Sequence, residues 1–309
     1  MNPPAFSTPT DFPPLLIKFG PEVRDGFDAG VPVVAGDPAE MLFRGARPAG
    51  QAGALTLYRT EDWLLGAATV PLAEGLEAAS FRLYDDMFQA ARGLHLARIW
   101  NYVPAINESG PAGLENYRIF CRARSQAFER HYGPGFKALL PAASAVGTKA
   151  AALTVVFAAT AIRPRHVENP LQVSAYDYPG EYGPRAPSFA RATVVPGTAR
   201  DTVFISGTAA IRGHATIAPD NLRAQLECTL ENLREISAAC GLGPGLGDHG
   251  GTMRHFKVYL RQVADQPAVA SLLQDKFFGD TGQVTYVHAD ICRAELLVEI
   301  EATLFGPEK

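Results

Sequence analysis

The chain of 309 residues is expected to fold as an α/β (α+β) protein of two similar halves, each a mixed β-sheet with helices packed on one face. Two observations lead there. Short apolar runs with strand-like alternation take turns with longer segments whose apolar residues recur at helical spacing, a pattern that builds sheet-and-helix layers. The order β-α-β-α-β then occurs twice, and a repeat of that length marks a repeated structural unit.

Residues 1–50 form an N-terminal extension. It opens MNPPAFSTPTDFPP, proline-rich and without the basic start and apolar run of a signal peptide. The first half, 51–162, begins with LTLYRTEDWLLGAATV, a strand or hairpin. A helix LEAASFRLYDDMFQAARG follows and closes on glycine. Then come a strand ARIWNYVPAIN, a helix ENYRIFCRARSQAFERHYG and a closing strand GTKAAALTVVFAATA. Residues 163–200 are a structured linker loop. Within it, QVSAYDYPGEYGPRAPSFARA holds three tyrosines, three prolines and two arginines, too aromatic for an idle tether, and long ordered loops usually cover a site.

The second half, 201–309, repeats the order. DTVFISGTAAI is a strand, and NLRAQLECTLENLREISAACGL is a helix ending at Gly241, a residue suited to the left-handed C-cap. RHFKVYLRQV is a strand, PAVASLLQDKFFG a short helix opened by proline, and QVTYVHADICRAELLVEIEATLF a long strand or strand pair. RIWNYV sits where FKVYLR sits, and FERHYG where DKFFGD sits.

Composition narrows the function. With 47% hydrophobic and 19% charged residues the chain can bury a sizeable core. A net charge of -4 argues against nucleic acid as partner, and no apolar run approaches the roughly 18 residues of a membrane span. Cys121, Cys228, Cys240 and Cys292 are far apart and unpatterned, which reads as free thiols in a cytoplasmic protein. GLGPGLGDHGG follows a helix and lacks a phosphate-loop ending. His249 and His255 have no partners at metal-ligand spacing, and Ser206 in ISGT is not on a nucleophile elbow.

The carboxylates of the last strand carry the chemistry. Leu296, Val298, Ile300, Ala302 and Leu304 share one face, and Glu295, Glu299 and Glu301 fall on the other with Leu297. Matching Thr160 of the first half to Thr303 places Val156 opposite Glu299 and Ala158 opposite Glu301. A strand that only had to pack would manage with valine and alanine. Glu299, with Cys292 and Tyr286 as an apolar and aromatic surround, is expected to have a raised pKa and to serve as a general acid. Glu301 and Glu295 are the weaker candidates. Arg122, Arg124, Arg191 and Arg261 lie in semi-apolar surroundings, and two or more clamping arginines suit a dianionic substrate.

These segments resemble known proteins. FISGTAAIRGH, TLENLREI, KVYLR and ADICR…LLVEIEA resemble the YjgF/RidA-like fold, so that each half would be a RidA-like (chorismate-mutase-like) unit. Together with RIWNYVPAIN, ENYRIFCRARSQAFE and QVSAY…YGPRAPSFARA the resemblance narrows to the chorismatases, the FkbO-type chorismate hydrolases and the hydroxybenzoate synthases, over about Leu55 to Phe305. The carboxylate-holding arginine of general RidA-like proteins is absent here. TYVHADIC offers tyrosine and histidine instead, which disfavours a plain imine deaminase.

The resemblance implies chorismate as the small-molecule substrate, a cleft between the halves as the site, and no metal or organic cofactor. It makes Glu299 the acid that protonates the enolpyruvyl methylene. Arg124, Arg261, Tyr117 and Tyr176 would hold the two carboxylates, with Arg122 competing with Arg124, and Arg191 with Arg261. Synthases of the family carry a cysteine seven residues before the glutamate, as Cys292 stands to Glu299. They also carry glycine in the SGTA segment where hydrolases have alanine. With Ala210 as the matching position, that second marker points to the hydrolases. The expected reaction is cleavage to 3-hydroxybenzoate and pyruvate, with 4-hydroxybenzoate as a further product. Its rivals are hydrolysis to a cyclohexadiene diol, and a RidA-like small-molecule binder or imine deaminase. Monomer and trimer both stay open.

Overall fold

The computed structural model describes residues 15–19, 27–110, 113–247, 251–274 and 282–309. In chain order the elements are β1 (Leu15–Lys18), β2 (Phe27–Asp28), β3 (Val33–Gly36), β4 (Ala39–Phe43), β5 (Arg47–Ala52), β6 (Leu55–Arg59), β7 (Trp63–Pro71), α1 (Leu76–Ala90), β8 (His95–Pro104), α2 (Asn116–Tyr132), β9 (Ala142–Thr148) and β10 (Ala152–Thr160). The rest are β11 (Arg165–Val167), β12 (Ala192–Val195), β13 (Thr202–Ala209), β14 (Ile211–Arg212), β15 (Ala215–Thr216), α3 (Leu222–Cys240), β16 (Met253–Leu260), α4 (Gln266–Leu273), β17 (Gly282–His288) and β18 (Val298–Phe305).

Two mixed sheets organise them. The first runs β5-β6-β7-β10-β8-β9 and the second β11-β12-β13-β18-β16-β17-β3. In each, the closing strand of its half (β10 or β18) lies between two antiparallel neighbours, and a parallel pair follows, β8 with β9 and β16 with β17. The repeat expected from the sequence is therefore present, with one first-half strand, β9, that the sequence did not lead one to expect. β3, from the extension, pairs with β17, while β1, β2 and β4 form a small sheet of their own. Residues 163–200 supply the edge strand β11, its neighbour β12, and two short 3-10 turns, Ala175–Asp177 and Gly180–Tyr182.

Local sequence explains the helices. α1 lines up Leu76, Ala79, Leu83 and Met87 on one buried stripe, and each fully buried large apolar side chain contributes roughly 1.5–3 kcal/mol. α3 starts at Asn221, whose side chain accepts from the Ala224 N–H at 3.0 Å, and stops at Gly241 with φ 84°. Pro267 occupies the first turn of α4, where its missing N–H costs nothing. The DKFFGD match and the opening MNPPAFSTPTDFPP lie outside the described residues, as does His249. One strand escaped the sequence: β9, AASAVGT, is made mostly of small residues, yet all seven of its residues are buried. Its place beside β8 is set by burial rather than propensity. Among the described residues no helix is long and apolar enough to cross a membrane.

α1 and α2 cover one face of the first sheet, and α3 and α4 one face of the second. The uncovered faces meet each other. Trp63, Leu65, Trp100, Val156 and Ala158 of the first sheet share a core with Phe204, Tyr259 and Val287 of the second, closed by Ile17, Phe19 and Leu42 of the extension. Edge strand β9 ties the halves at one end of this seam. Its Ala142 and Ala143 N–H groups donate to the Thr193 and Ser206 hydroxyls at 2.8 and 2.9 Å.

Candidate active site

Glu299 and Glu301 point from β18 into that inter-sheet seam, as Val156 and Ala158 do from β10. Both are buried, at 3% and 1% exposure. Glu295 lies before the strand and is exposed, holding the Thr216 hydroxyl at 2.8 Å. Tyr286, expected near Glu299, packs instead into the helix-covered core of the second half. β17 is a separate strand, so the alternation of β18 does not extend to it.

The two buried glutamates have opposite surroundings. Glu301 accepts from Arg98 at 2.7 Å and from the Trp100 indole at 3.0 Å, and it pairs with Lys257. Burial alone would raise its pKa, but Lys257 and Arg98 overcome that and hold it down at about 2. Glu299 forms no ion pair with a described residue. Burial first, and the Glu301 charge second, push its carboxyl up to about 8 against the pull of Arg98 and Arg191. At neutral pH Glu299 holds its proton.

A local irregularity makes room for it. Between Thr160 and Val156 of β10 the partner strand β7 advances from Trp63 to Ala67, four residues. Between Thr303 and Glu299 of β18 the partner β13 advances from Phe204 to Ala209, five residues. The additional residue is a bulge between Ile205 and Thr208, and it carries Gly207. A Cβ on Gly207 would lie 2.0 Å from Glu299 Oε1, so glycine is required by proximity and not by backbone conformation.

Glu299, Gly207 and Cys292 form the floor of a cleft of about 840 Å³, counted out to where it opens to solvent. α2 contributes Tyr117 and Arg118, residues 163–200 contribute Tyr178, Tyr182 and Phe189, and Arg191, Ala209 and Arg293 complete the walls. A recess below the floor reaches Arg124 and Ser144. The cleft thus takes residues from both halves and from the segment between them.

Two guanidinium groups there form no ion pair with a described carboxylate, although Arg191 lies near enough to the half-buried Glu168 to pull down a pKa that burial raises. Arg124 is fully buried on α2; it stacks on Phe120 and Phe189 at 5.0 and 5.9 Å, and its Nε has no hydrogen-bond partner. Arg191, 5% exposed, lies 5.1 Å from the Phe189 ring and donates to the Tyr178 hydroxyl at 2.8 Å; its Nε is also without a partner. Buried cations are costly unless paired, and this pair suits an anionic guest. Arg293 adds a third cation, seated on the Tyr182 ring at 4.1 Å with one nitrogen buried and unpartnered. The Cys292 thiol is pushed well above its ordinary range by burial and by Glu299, so it stays neutral.

Of the residues expected in the site, Glu299, Cys292, Arg124, Arg191 and Tyr117 come together. Four others stand elsewhere. Arg122 is two residues from Arg124 and so on the other side of α2, where it binds Glu77 through two hydrogen bonds of 2.6 and 2.7 Å. Arg261 pins the loop after β17, donating to the carbonyls of Leu296, Ile291 and Arg293 and to Asp290. It holds Cys292 and Arg293 in place without lining the cleft. Tyr176 turns toward the first-half core and Lys137, because the 3-10 turn at Ala175–Asp177 faces it away, and Tyr178 and Tyr182 take the cleft side. Ala210 is packed behind with Ile211 and Leu296. Nothing in the sequence marks Phe189 or Arg293, whereas a glycine inside the strand FISGTA was a legible sign of a bulge.

Fold and cleft together are those of an α/β enzyme built from two related halves with one site at their seam. Residues 42–159 match the family model described as Chorismatase FkbO/Hyg5-like, N-terminal. A protein of Streptomyces hygroscopicus named 3-hydroxybenzoate synthase is 36% identical over 269 residues, 82% of this chain and 77% of that one. A protein of Streptomyces rapamycinicus named chorismatase is 35% identical over 274 residues, 84% of this chain and 80% of its own. A crystal structure of a chorismatase superposes with a TM-score of 0.78 at 31% identity, covering 98% of this chain and 95% of that one. The chain belongs to the chorismatase family.

Proposed function

We propose that this enzyme cleaves chorismate to 3-hydroxybenzoate and pyruvate, with Glu299 as the general acid. The observation that carries the reading is a buried Glu299 without an ion pair, its carboxyl pushed up to about 8 chiefly by burial, beside two buried guanidiniums each with an unpartnered Nε. Chorismate is a dicarboxylate, so Arg124 and Arg191 would each gain the partner they lack. Glu299 then delivers its proton to the enolpyruvyl methylene, leaving an oxocarbenium-like centre on the ether carbon. The oxygen of the ring's neighbouring hydroxyl bonds to the ring carbon that bears the ether as that carbon–oxygen bond breaks, so pyruvate leaves with the bridging oxygen. The resulting epoxide opens at the carbon that carried the hydroxyl, and loss of a ring hydrogen aromatises the ring. The proton released on aromatisation restores the acid. The two products contain all the atoms of chorismate, so no water is consumed.

One residue favours the aromatic product over the diol. Cys292, neutral and packed against Glu299, stands where the resemblance gives the synthases a cysteine. The other marker, with Ala210 as the matching position, points to the hydrolases, and Ala210 is packed behind with Ile211 and Leu296. A relative at 36% identity named 3-hydroxybenzoate synthase agrees with the cysteine. Hydrolysis to the diol, which takes up one water, remains the second reading, because the cleft is open to solvent.

The test is incubation of the purified protein with chorismate, with chromatography against standards. Equal amounts of 3-hydroxybenzoate and pyruvate, lost in Glu299→Gln, are expected. A diol would replace the synthase reading with the hydrolase one, and unchanged chorismate would overturn both.

A further inference from the structure

Beneath the cleft floor lies a cluster of charges that touches no solvent. Arg98 of β8, Lys257 of β16, Glu301 of β18 and Glu40 of β4 are each at most 1% exposed. Lys257 forms ion pairs with Glu40, at 2.7 Å, and with Glu301; Arg98 donates to Glu301 at 2.7 Å and to the Ser144 hydroxyl at 3.0 Å. Thr303 donates to Glu40, and the Trp100 indole fixes the second oxygen of Glu301. Arg98 and Lys257 hold matching places in the two halves, beside Ala158 and beside Glu301. Two cations face two carboxylates, so the cluster is balanced without Glu299.

We propose that Glu301 is a positioning residue for the reaction: by occupying Arg98 and Lys257 it denies Glu299 a counter-ion and keeps the acid loaded with its proton. The proposal rests on Glu299 being the acid. Glu299 is two residues from Glu301 on the same strand face, roughly 7 Å along the chain, so the fixed negative charge acts on it directly. The groups that face Glu299 from other elements fit the same scheme. β16 presents Tyr259, which burial keeps neutral, and the loop presents neutral Cys292. α2 presents Tyr117, kept neutral by burial, and the cation Arg124; Arg191 comes from the approach to β12. A bound dianion takes both of those arginines. Once they are taken, an ionised Glu299 would be the odd buried charge, and protonation is the cheaper state.

The experiment compares pH profiles of kcat/KM for chorismate cleavage in the wild type, Glu301→Gln, Glu301→Asp and Arg98→Met. The wild type is expected to lose activity on a basic limb near pH 8. Glu301→Gln frees Arg98 to pair with Glu299, so the limb moves down by about one pH unit or more, a loss of roughly fivefold or greater at pH 8 with the acidic plateau within about threefold. Glu301→Asp, which keeps the charge, retains the wild-type limb. Arg98→Met removes the rival cation and moves the limb upward, which gives a second reading where Glu301→Gln does not fold. Equal loss at every pH, an unmoved limb, or shifts in one direction for both variants would overturn the proposal. Turnover surviving in Glu299→Gln would instead sink the assignment of the acid, a separate outcome from an unmoved limb.

Discussion

Gly207 leaves so little space beside Glu299 that a Cβ there would lie 2.0 Å from the carboxyl oxygen Oε1 and 2.7 Å from Cδ. The bulge of β13 and the acid of β18 therefore form one unit, since the additional residue in one strand creates the niche into which the other strand's side chain is folded.

Gly207→Ala tests that unit. The clash falls on the far end of a side chain and not on backbone, so the fold is expected to survive while the carboxyl is displaced. A shift of about 1 Å in a reacting group costs on the order of 100-fold in rate. The check is a melting curve close to the wild type together with a fall of that size in kcat/KM.

Arg124→Met should separate stability from binding. In the free enzyme Arg124 is a buried cation without a carboxylate among the described residues, and replacing such a charge with an apolar side chain of similar length is often neutral or stabilising. The substrate-clamp role proposed for it predicts the opposite for binding. KM should rise at least about thirtyfold, the roughly 2 kcal/mol lower limit for truncating one partner of a buried charge pair. Thermal unfolding without substrate and steady-state kinetics measure the two effects.

Glu299 also links stability to pH. Its carboxyl is raised from 4.5 to about 8 in the folded state, so between those values the folded protein holds a proton that the unfolded chain has released. Stability from this group therefore falls as pH rises through that window, and nothing is lost below it. Glu299→Gln has no proton to lose. Melting temperatures measured from pH 4 to pH 9 should start close together and diverge upward in favour of the variant.

Cys292→Ala addresses the product. A thiol held neutral by burial is neither nucleophile nor base at neutral pH, so its removal should leave chorismate cleavage within about tenfold of the wild type. It opens space for water beside Glu299, and the product should shift from 3-hydroxybenzoate toward the diol. Chromatography of the products gives the ratio, and complete loss of turnover would instead give the thiol a chemical role.

Much of this was legible along the chain because it follows from local pattern. Period-2 alternation told the core face of β18 from the face bearing Glu299 and Glu301, and comparison of the halves showed that packing alone does not require those glutamates. Helix periods and glycine stops located α1, α2 and α3 to within a few residues. The arginines were harder, since a guanidinium reads the same in a surface pair as in a cleft. Arg122 and Arg124 differ only in the side of α2 they occupy, and Arg191 and Arg261 only in what the chain folds against them.

The sequence by itself determined the two related halves, the strand that carries Glu299, and the cysteine seven residues before it. It could do so because strand and helix periods depend on neighbouring residues. Only the tertiary structure decided which glutamate stays neutral. Glu299 and Glu301 share a strand face and a nearly equal burial. Their protonation differs because Arg98, 203 positions from Glu301 in the chain, and Lys257 pair directly with Glu301, while Glu299 forms no ion pair and feels Arg98 only at a distance.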